Sequence, residues 1–176
     1  MIPRIQVLFG DSAGVGPELC VKLANDMPDE ASSVQVVMTG DPGVLAFAEQ
    51  STDQCVSAPR FETFETIGER QSGLVFLERA SDASAIPKAE VSEAAGREVL
   101  ETLMEAIERA KAGEIDGIVF APFNKESMHR AGSPHYSELE LFKEQFGRDD
   151  IPGEFNVMDD LWIARVTSHI PVGEIA

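Results

Sequence analysis

The sequence predicts an α/β fold, an open and mostly parallel sheet with helices on both faces. Short apolar segments typical of buried strands alternate with amphipathic segments of helical period along the chain. Glycine-rich or polar loops separate them, as in repeated strand-turn-helix units. The chain has 176 residues, of which 43% are hydrophobic and 26% are charged. This length and composition suit one α/β unit over residues 1–176 with a substantial core.

The first third of the chain contains two strand-turn-helix units. Residues Ile5–Phe9 form an apolar strand, the glycine-rich turn GDSAGVG follows, and a helix begins near Pro17, a residue well suited to a first helical turn. The second strand is Val34–Met38, and its helix runs through Val44–Ala48. Repeated units of this kind predict parallel strands whose following loops gather at one edge of the sheet.

The middle of the chain is less regular. Residues 51–90 contain several prolines and glycines among short strand-like pieces at Phe61–Phe64 and Leu74–Leu77, which indicates an excursion or an edge segment. Ser92 then caps a long helix with apolar residues at a period of about 3.6, and Gly113 ends it.

The last third contains strands, short helices and polar loops. The predicted elements are a buried strand Gly117–Phe120, the loop APFNK, a short helix through Met128, a helix Leu139–Phe146, and strands Phe155–Met158 and Leu161–Thr167. The final strand places His169 at its carboxyl end. The last six residues, PVGEIA, resemble the start of a helix that does not continue, so we expect the N-terminal half of a longer two-domain protein.

Composition excludes several classes of function. The formal net charge of −17 disfavours binding to nucleic acid or to anionic lipid, both of which need a positive surface. Cys20 and Cys55 match neither a disulfide framework nor a zinc motif, so a reduced, cytoplasmic protein is expected. No signal peptide or membrane-spanning segment is evident, so no membrane association is expected.

Two loops after predicted strands are candidates for chemistry. The motif GDSAGVGPE, with Asp11, Gly14, Gly16 and Glu18, either binds an anion through its backbone N–H groups or is only a tight structural turn. It lacks the G-x-G-x-x-G spacing of a dinucleotide fingerprint. The loop APFNK places Asn124 and Lys125 after a buried strand, where open α/β sheets bind ligands. Lys125 either holds a phosphate or an alkoxide there, or is an ordinary loop lysine.

Two histidine-containing segments are candidates for metal or acid/base chemistry. His169 lies at a strand end, which favours such a role over a position on a helix face. The segment SPHYSELE contains His135, Glu138 and Glu140 immediately before a helix. These residues form either a metal or acid/base site or only the polar start of a surface helix, because acidic residues are also favoured there by the helix dipole.

Together these stretches resemble the 4-hydroxythreonine-4-phosphate dehydrogenase family. GDSAGVGPE is similar to the family's GDPAGIGPE, with Ser12 in place of proline. DGIVFAPFNKESMHRAG is similar to its segment ending in a Pro-x-(Asn/His)-Lys loop, and ARVTSHIPVGEIA to its T-T-H-x-P-L segment. The resemblance runs over the full chain and implies a fold like that of isocitrate and isopropylmalate dehydrogenases, incomplete relative to the family.

The resemblance implies a divalent metal site and NAD as hydride acceptor. His169 matches one metal-binding histidine of the family. Without gaps, the family's G-H-T-E motif aligns its histidine with Glu138, and His135 is the alternative if the alignment shifts by three residues. Glutamate at this position favours Mg²⁺ or Mn²⁺ over the zinc of an all-imidazole site. The third ligand and the residues that bind NAD are expected in the second half of the family's proteins.

The implied function is NAD-dependent oxidation of 4-phosphohydroxy-L-threonine, or a similar phosphorylated hydroxy acid, with decarboxylation of the keto acid, in pyridoxine and pyridoxal phosphate biosynthesis. Lys125 and Asn124 would contact the substrate. A homodimer is also implied, and the 176-residue chain alone is expected to be inactive. The alternative is a shortened, non-redox relative that binds metal or phosphate; a third interpretation is that the motifs serve packing only.

Overall fold

A computed structural model describes residues 2–27, 33–135, 137–148, 150, 153–164 and 173. The strands are β1 (Arg4–Leu8), β2 (Gln35–Gly40), β3 (Arg60–Phe61), β4 (Gly73–Glu78), β5 (Gly117–Phe120), β6 (Phe155–Met158) and β7 (Leu161–Ala164). The helices are α1 (Gly16–Asp26), α2 (Pro42–Thr52), α3 (Glu93–Lys111), α4 (Lys125–Arg130) and α5 (Glu138–Phe146). Two compact units contain them, one within Met1–Pro134 and the other within His135–Ala176.

The first unit is built on a five-stranded sheet in the order β3-β4-β2-β1-β5, and all of its neighbouring strands pair in parallel. This confirms the predicted open, mostly parallel sheet covered by helices. β2 lies on one side of β1 and β5 on the other, so the chain reverses its direction of winding at β1. Open α/β sheets bind ligands at such a switch point, outside the carboxyl ends of the strands.

The segment 51–90 contributes two strands to this sheet. β3 lies at the edge, and β4 lies inside the sheet between β3 and β2. The strand expected at Phe61–Phe64 is wrong beyond Phe61, where β3 ends, and a short 3-10 helix begins at Phe64. That helix buries Phe64 and Ile67, so local packing of two apolar side chains replaces strand pairing there.

The second unit contains α5 and the β6–β7 hairpin. β6 and β7 pair antiparallel in a separate two-stranded sheet. Only Asp159 and Asp160 connect them, and a two-residue loop can join only antiparallel neighbours. The chain therefore contains two compact units with separate sheets, whereas one α/β unit was expected over residues 1–176. Both predicted strands are present, although residues 165–167 of the second lie outside the described residues.

Helix α3 covers the sheet and determines the position of the short helix α4. Its N-cap Ser92 accepts a hydrogen bond from the Ala95 N–H at 3.1 Å, which confirms the predicted cap. At Gly96 the backbone of α4 lies so close that a Cβ atom would overlap the Ser127 carbonyl and come within 2.7 Å of the Met128 nitrogen. Only glycine fits this crossing.

None of the helices in the described part of the chain has the length and hydropathy needed to cross a bilayer.

We predict that Gly96→Ala lowers the free energy of unfolding by about 1–3 kcal/mol, because an added methyl group in a packed contact forces the backbone apart. Urea unfolding followed by circular dichroism measures the change. Gly14→Ala is the matched control, since its nearest neighbour would be the Asp11 carbonyl oxygen at 3.5 Å, an ordinary contact. Equal unfolding midpoints for the two variants would contradict the crowded crossing.

Candidate functional site

The loops that follow β1 and β5 meet at the switch point. The Asp11 N–H donates to the Pro122 carbonyl at 3.1 Å, and the Ala121 N–H donates to the Leu8 carbonyl at 3.0 Å. Gly10 has a φ of +74°, and a Cβ atom on it would approach the Pro122 oxygen to 2.7 Å. The glycine is therefore required both for its backbone conformation and for the close approach of the two loops.

The β1–α1 loop, residues 10–15, is a tightly bonded turn. The Asp11 carboxylate, 5% exposed, accepts from the Ala13 N–H at 2.8 Å, and the Asp11 carbonyl accepts from the Gly14 N–H at 3.0 Å. A Cβ on Gly16 would overlap the Phe9 carbonyl. Three N–H groups of the loop, those of Asp11, Ala13 and Gly14, thus already donate within the protein. This arrangement is typical of a structural turn and leaves those three donors unavailable to an anion.

Glu18 lies on the first turn of α1. Its Oε1 accepts from the Ser51 hydroxyl at 3.3 Å, so it bridges α1 to α2. The motif residue Glu18 therefore has a visible packing role.

The β5–α4 loop presents the two predicted substrate-contacting residues. Asn124 is the N-cap of α4, and its side-chain oxygen accepts from the Ser127 N–H at 3.0 Å. Lys125 is the first residue of α4, and its side chain is exposed. Phe120 and Phe123 stack with ring centroids 4.5 Å apart and hold the loop against the end of its strand. The structure thus places Asn124 and Lys125 directly after the part of the β5–α4 loop that bonds to the β1–α1 loop.

A second lysine, which the sequence analysis did not identify, lies beside this site. The Lys88 ammonium donates to the Ser12 carbonyl at 2.7 Å and lies 4.8 Å from the centroid of the Phe47 ring. The Ala89 N–H donates to the Ala13 carbonyl at 2.7 Å. The sequence around Lys88 carries no motif. The place of Lys88 beside the β1–α1 loop is visible only in the structure, where the segment that follows β4 packs against that loop.

The carboxyl end of β4 carries an ion-pair cluster, formed by Arg79 with Glu98, Glu101 and Glu105 of α3. Arg79 donates to both oxygens of Glu98 at 2.9 and 3.0 Å, and to one oxygen each of Glu101 and Glu105 at 2.9 Å. Burial raises the pKa of the Glu98 carboxyl, and the Arg79 charge acts in the opposite direction. Because three carboxylates already surround Arg79, it is not a cation available to a substrate phosphate.

The predicted metal ligands belong to the second unit or lie outside the described residues. Glu138 is half-buried in the first turn of α5, whose N-cap Ser137 accepts from the Glu140 N–H at 3.3 Å. The alternative ligand His135 pairs through Nε2 with the Glu144 carboxylate at 2.9 Å. His169 lies outside the described residues.

Glu138 and His135 supply only part of the ligand set that a divalent ion requires. The carboxylate of Glu138 is a suitable hard oxygen donor. Within the described residues, however, no group of three or more histidine, cysteine, aspartate or glutamate side chains could hold a metal ion. These residues therefore do not assemble a complete centre, and Glu138 would supply one ligand of a site that needs others.

A parallel sheet whose polar loops meet at a switch point defines an open α/β protein, and comparison with known proteins identifies the family. The family model described as pyridoxal phosphate biosynthetic protein PdxA matches residues 32–176. The chain belongs to this family, which confirms the resemblance found in the sequence.

Curated relatives carry dehydrogenase names. A putative 4-hydroxythreonine-4-phosphate dehydrogenase of Pasteurella multocida is 36% identical over 97% of this chain and 51% of its own length. A putative 4-hydroxythreonine-4-phosphate dehydrogenase 2 of Pseudomonas aeruginosa is 34% identical over 99% of this chain and 52% of its own length. D-threonate 4-phosphate dehydrogenase of Bordetella bronchiseptica is 31% identical over 96% of this chain and 48% of its own length. The chain spans about half the length of the curated relatives it matches.

A solved structure confirms the fold. The 4-hydroxythreonine-4-phosphate dehydrogenase of Burkholderia phymatum superposes with a TM-score of 0.78 at 27% identity, over 97% of this chain and 51% of that one. The chain therefore belongs to an oxidoreductase family. The family is described by pyridoxal phosphate biosynthesis, and one relative is named for D-threonate 4-phosphate.

We predict that Asn124→Ala lowers the free energy of unfolding by about 1 kcal/mol, because the Ser127 N–H loses its capping acceptor. Asn124→Asp keeps an acceptor oxygen at the same place and should retain the native stability. Chemical unfolding of both variants measures the difference. Equal losses in the two variants would show that the cap does not stabilise α4.

Proposed function

We propose that the protein oxidises the secondary alcohol of 4-phosphohydroxy-L-threonine, or of a similar phosphorylated hydroxy acid, and that the keto acid formed is then decarboxylated. Family membership supports the reaction class. The observation that carries the proposal is the position of Lys125, exposed at the start of α4 and directly after the loop that follows β5 at the switch point. A cation at this edge of a parallel sheet is well placed for an anionic substrate.

The substrate class follows from the relatives and from local charge. Relatives are named for 4-hydroxythreonine 4-phosphate and for D-threonate 4-phosphate. Both names describe small phosphorylated compounds with hydroxyl groups. The net charge of −17 does not oppose binding of such anions, because the field within a binding cleft depends on the nearest charges and dipoles.

Lys125 would contribute a charge to substrate binding, and Asn124 would contribute hydrogen bonds. The Lys125 ammonium would pair with a phosphate or stabilise negative charge on the substrate oxygen as its proton leaves. The side-chain oxygen of Asn124 already accepts the capping bond, so its amide N–H groups would be the donors to a substrate oxygen. α4 is held by α3, and the two contacts would therefore be made from a fixed backbone.

The proposal includes NAD as hydride acceptor and a divalent ion, Zn²⁺, Mg²⁺ or Mn²⁺. Such an ion supplies Lewis-acid chemistry at the substrate hydroxyl when bound. Glu138 and His169 would hold it, with His135 as the alternative to Glu138. We assign no residue of this chain to NAD, since the β1–α1 loop lacks the dinucleotide spacing. A cytoplasmic homodimer completes the proposal: the dimer rests on the resemblance alone, and the compartment rests on the cysteine pattern.

We predict that Lys125→Ala lowers kcat/KM of the full-length protein by roughly 10²-fold or more with 4-phosphohydroxy-L-threonine and NAD, because a positioned charge at the substrate is lost. NADH formation measures the rate. Lys22→Ala is the matched control, an exposed lysine on α1, and should keep the native rate. Full activity of a folded Lys125→Ala variant would remove Lys125 from the site.

The same assay separates the dehydrogenase from the non-redox relative. One result would support the alternative, a non-redox binding protein. In that case calorimetry shows binding of the threonine or threonate compound, and neither compound leads to reduction of NAD.

We predict that Glu138→Gln weakens binding of Mg²⁺ or Mn²⁺ to the native protein by at least roughly tenfold, since loss even of a group that orients a ligand costs about 10–100-fold. Isothermal titration calorimetry without substrate measures it independently of turnover. Glu140→Gln is the matched control, because Glu140 lies in the same first turn and is exposed. Equal affinities in the two variants would show that Glu138 does not bind the metal and is only an acidic residue at the start of α5.

A further inference from the structure

A small cavity lies at the carboxyl edge of the sheet, under α3. It leaves about 10 Å³ for the centre of a water molecule, close to the space that a single buried water needs. The loops after β1, β2 and β5 line it together with α3, through Gly10, Asp41, Phe123 and Val99 among other residues. The lining of this cavity therefore comes from all three loops around the switch point.

Ser12 brings an unpaired hydroxyl to this cavity. The residue is 3% exposed and lines the cavity, and its Oγ has no hydrogen-bond partner among the described residues. The backbone around it is fixed, because the Ser12 carbonyl accepts from Lys88 at 2.7 Å and the Ala13 N–H donates to Asp11 at 2.8 Å. A buried hydroxyl without a partner is unfavourable, and this loop is held too firmly to turn Ser12 outward.

Acceptor oxygens of other side chains line the same cavity. Glu98 is a lining residue; its two carboxylate oxygens each accept from Arg79, at 2.9 and 3.0 Å, and Ser81 also hydrogen-bonds to the carboxylate. A carboxylate has about four acceptor sites, so these three bonds leave one site for a further donor. Thr39 also lines the cavity, and its Oγ1 accepts from the Gln6 amide at 3.0 Å. The lining residues therefore include the hydroxyl groups of Ser12 and Thr39 and the Glu98 carboxylate.

We propose that this cavity is a binding site for one ordered water molecule, which accepts a hydrogen bond from the Ser12 hydroxyl and donates one to the Glu98 carboxylate. A water needs two to four polar partners in a space of this size, and the lining residues supply them. The water joins the β1–α1 loop to the Arg79 cluster on α3. The site is independent of the proposed reaction, since it uses neither Lys125 nor the metal ligands.

Crystal structures of the native protein and of Ser12→Ala test this site. We expect a density peak at about 2.7–3.2 Å from both Ser12 Oγ and a Glu98 oxygen in the native protein, and its loss in Ser12→Ala. Ser57→Ala is the matched control, because Ser57 is exposed, and it should keep the peak. A native structure with Ser12 Oγ bonded directly to a protein group and no peak would overturn the proposal.

A solution measurement gives a second readout. In ¹⁵N-labelled protein, a long-lived water in the cavity should transfer magnetisation to the amide protons of residues 10–13, and Ser12→Ala should abolish the transfer. A peak or a transfer that persists unchanged in Ser12→Ala would show that other groups hold the water, and would overturn the role of Ser12.

Discussion

The contact between α3 and α4 at Gly96 is the constraint on which the candidate site depends. A six-residue helix is too short to be stable in isolation, so α4 exists because it packs against α3 and because Asn124 caps its start. The Ser127 hydroxyl accepts from the Ser92 N–H at 3.2 Å and ties the starts of the two helices together. The position of Lys125 is therefore decided by residues of α3 that lie some 30 positions earlier in the chain.

The same logic extends to the β1–α1 loop. Its conformation follows from internal bonds of Asp11, from the close packing of Gly10 on the β5–α4 loop, and from Lys88 on its other side. Few of these partners are neighbours in sequence. The site is thus a consequence of strand order: β1 lies between β2 and β5, and the loops that follow β1 and β5 must meet.

The sequence predicted most strands and helices because they follow simple local rules. The period-3.6 pattern and the Ser92 cap marked α3, and a run of apolar residues marked β5. The prediction that β5 is buried was wrong, because it is a partly exposed strand at the edge of the sheet. The sequence also placed Asn124 and Lys125 at the correct edge. It did not show that Asn124 caps a helix, because the capping bond depends on where α4 begins.

Other features were beyond sequence patterns because they depend on long-range pairing. Gln6 is fully buried within a strand that reads as apolar, and it bonds to Thr39 of the neighbouring strand. The Arg79 cluster joins the end of β4 to α3, and no local spacing connects those residues. The sequence also did not predict that β6 and β7 form their own sheet, although the two-residue Asp159–Asp160 connection was a usable signal.

The crowded glycines have a consequence for how this family's sequences should be interpreted. Gly10, Gly16 and Gly96 each lie where any side chain would overlap the backbone of another element. Selection against substitution at these positions should be as strong as at a residue that contacts substrate. A ranking of positions by invariance would therefore not separate these three glycines from residues that contact a ligand, and only the physical reason for each constraint makes that distinction.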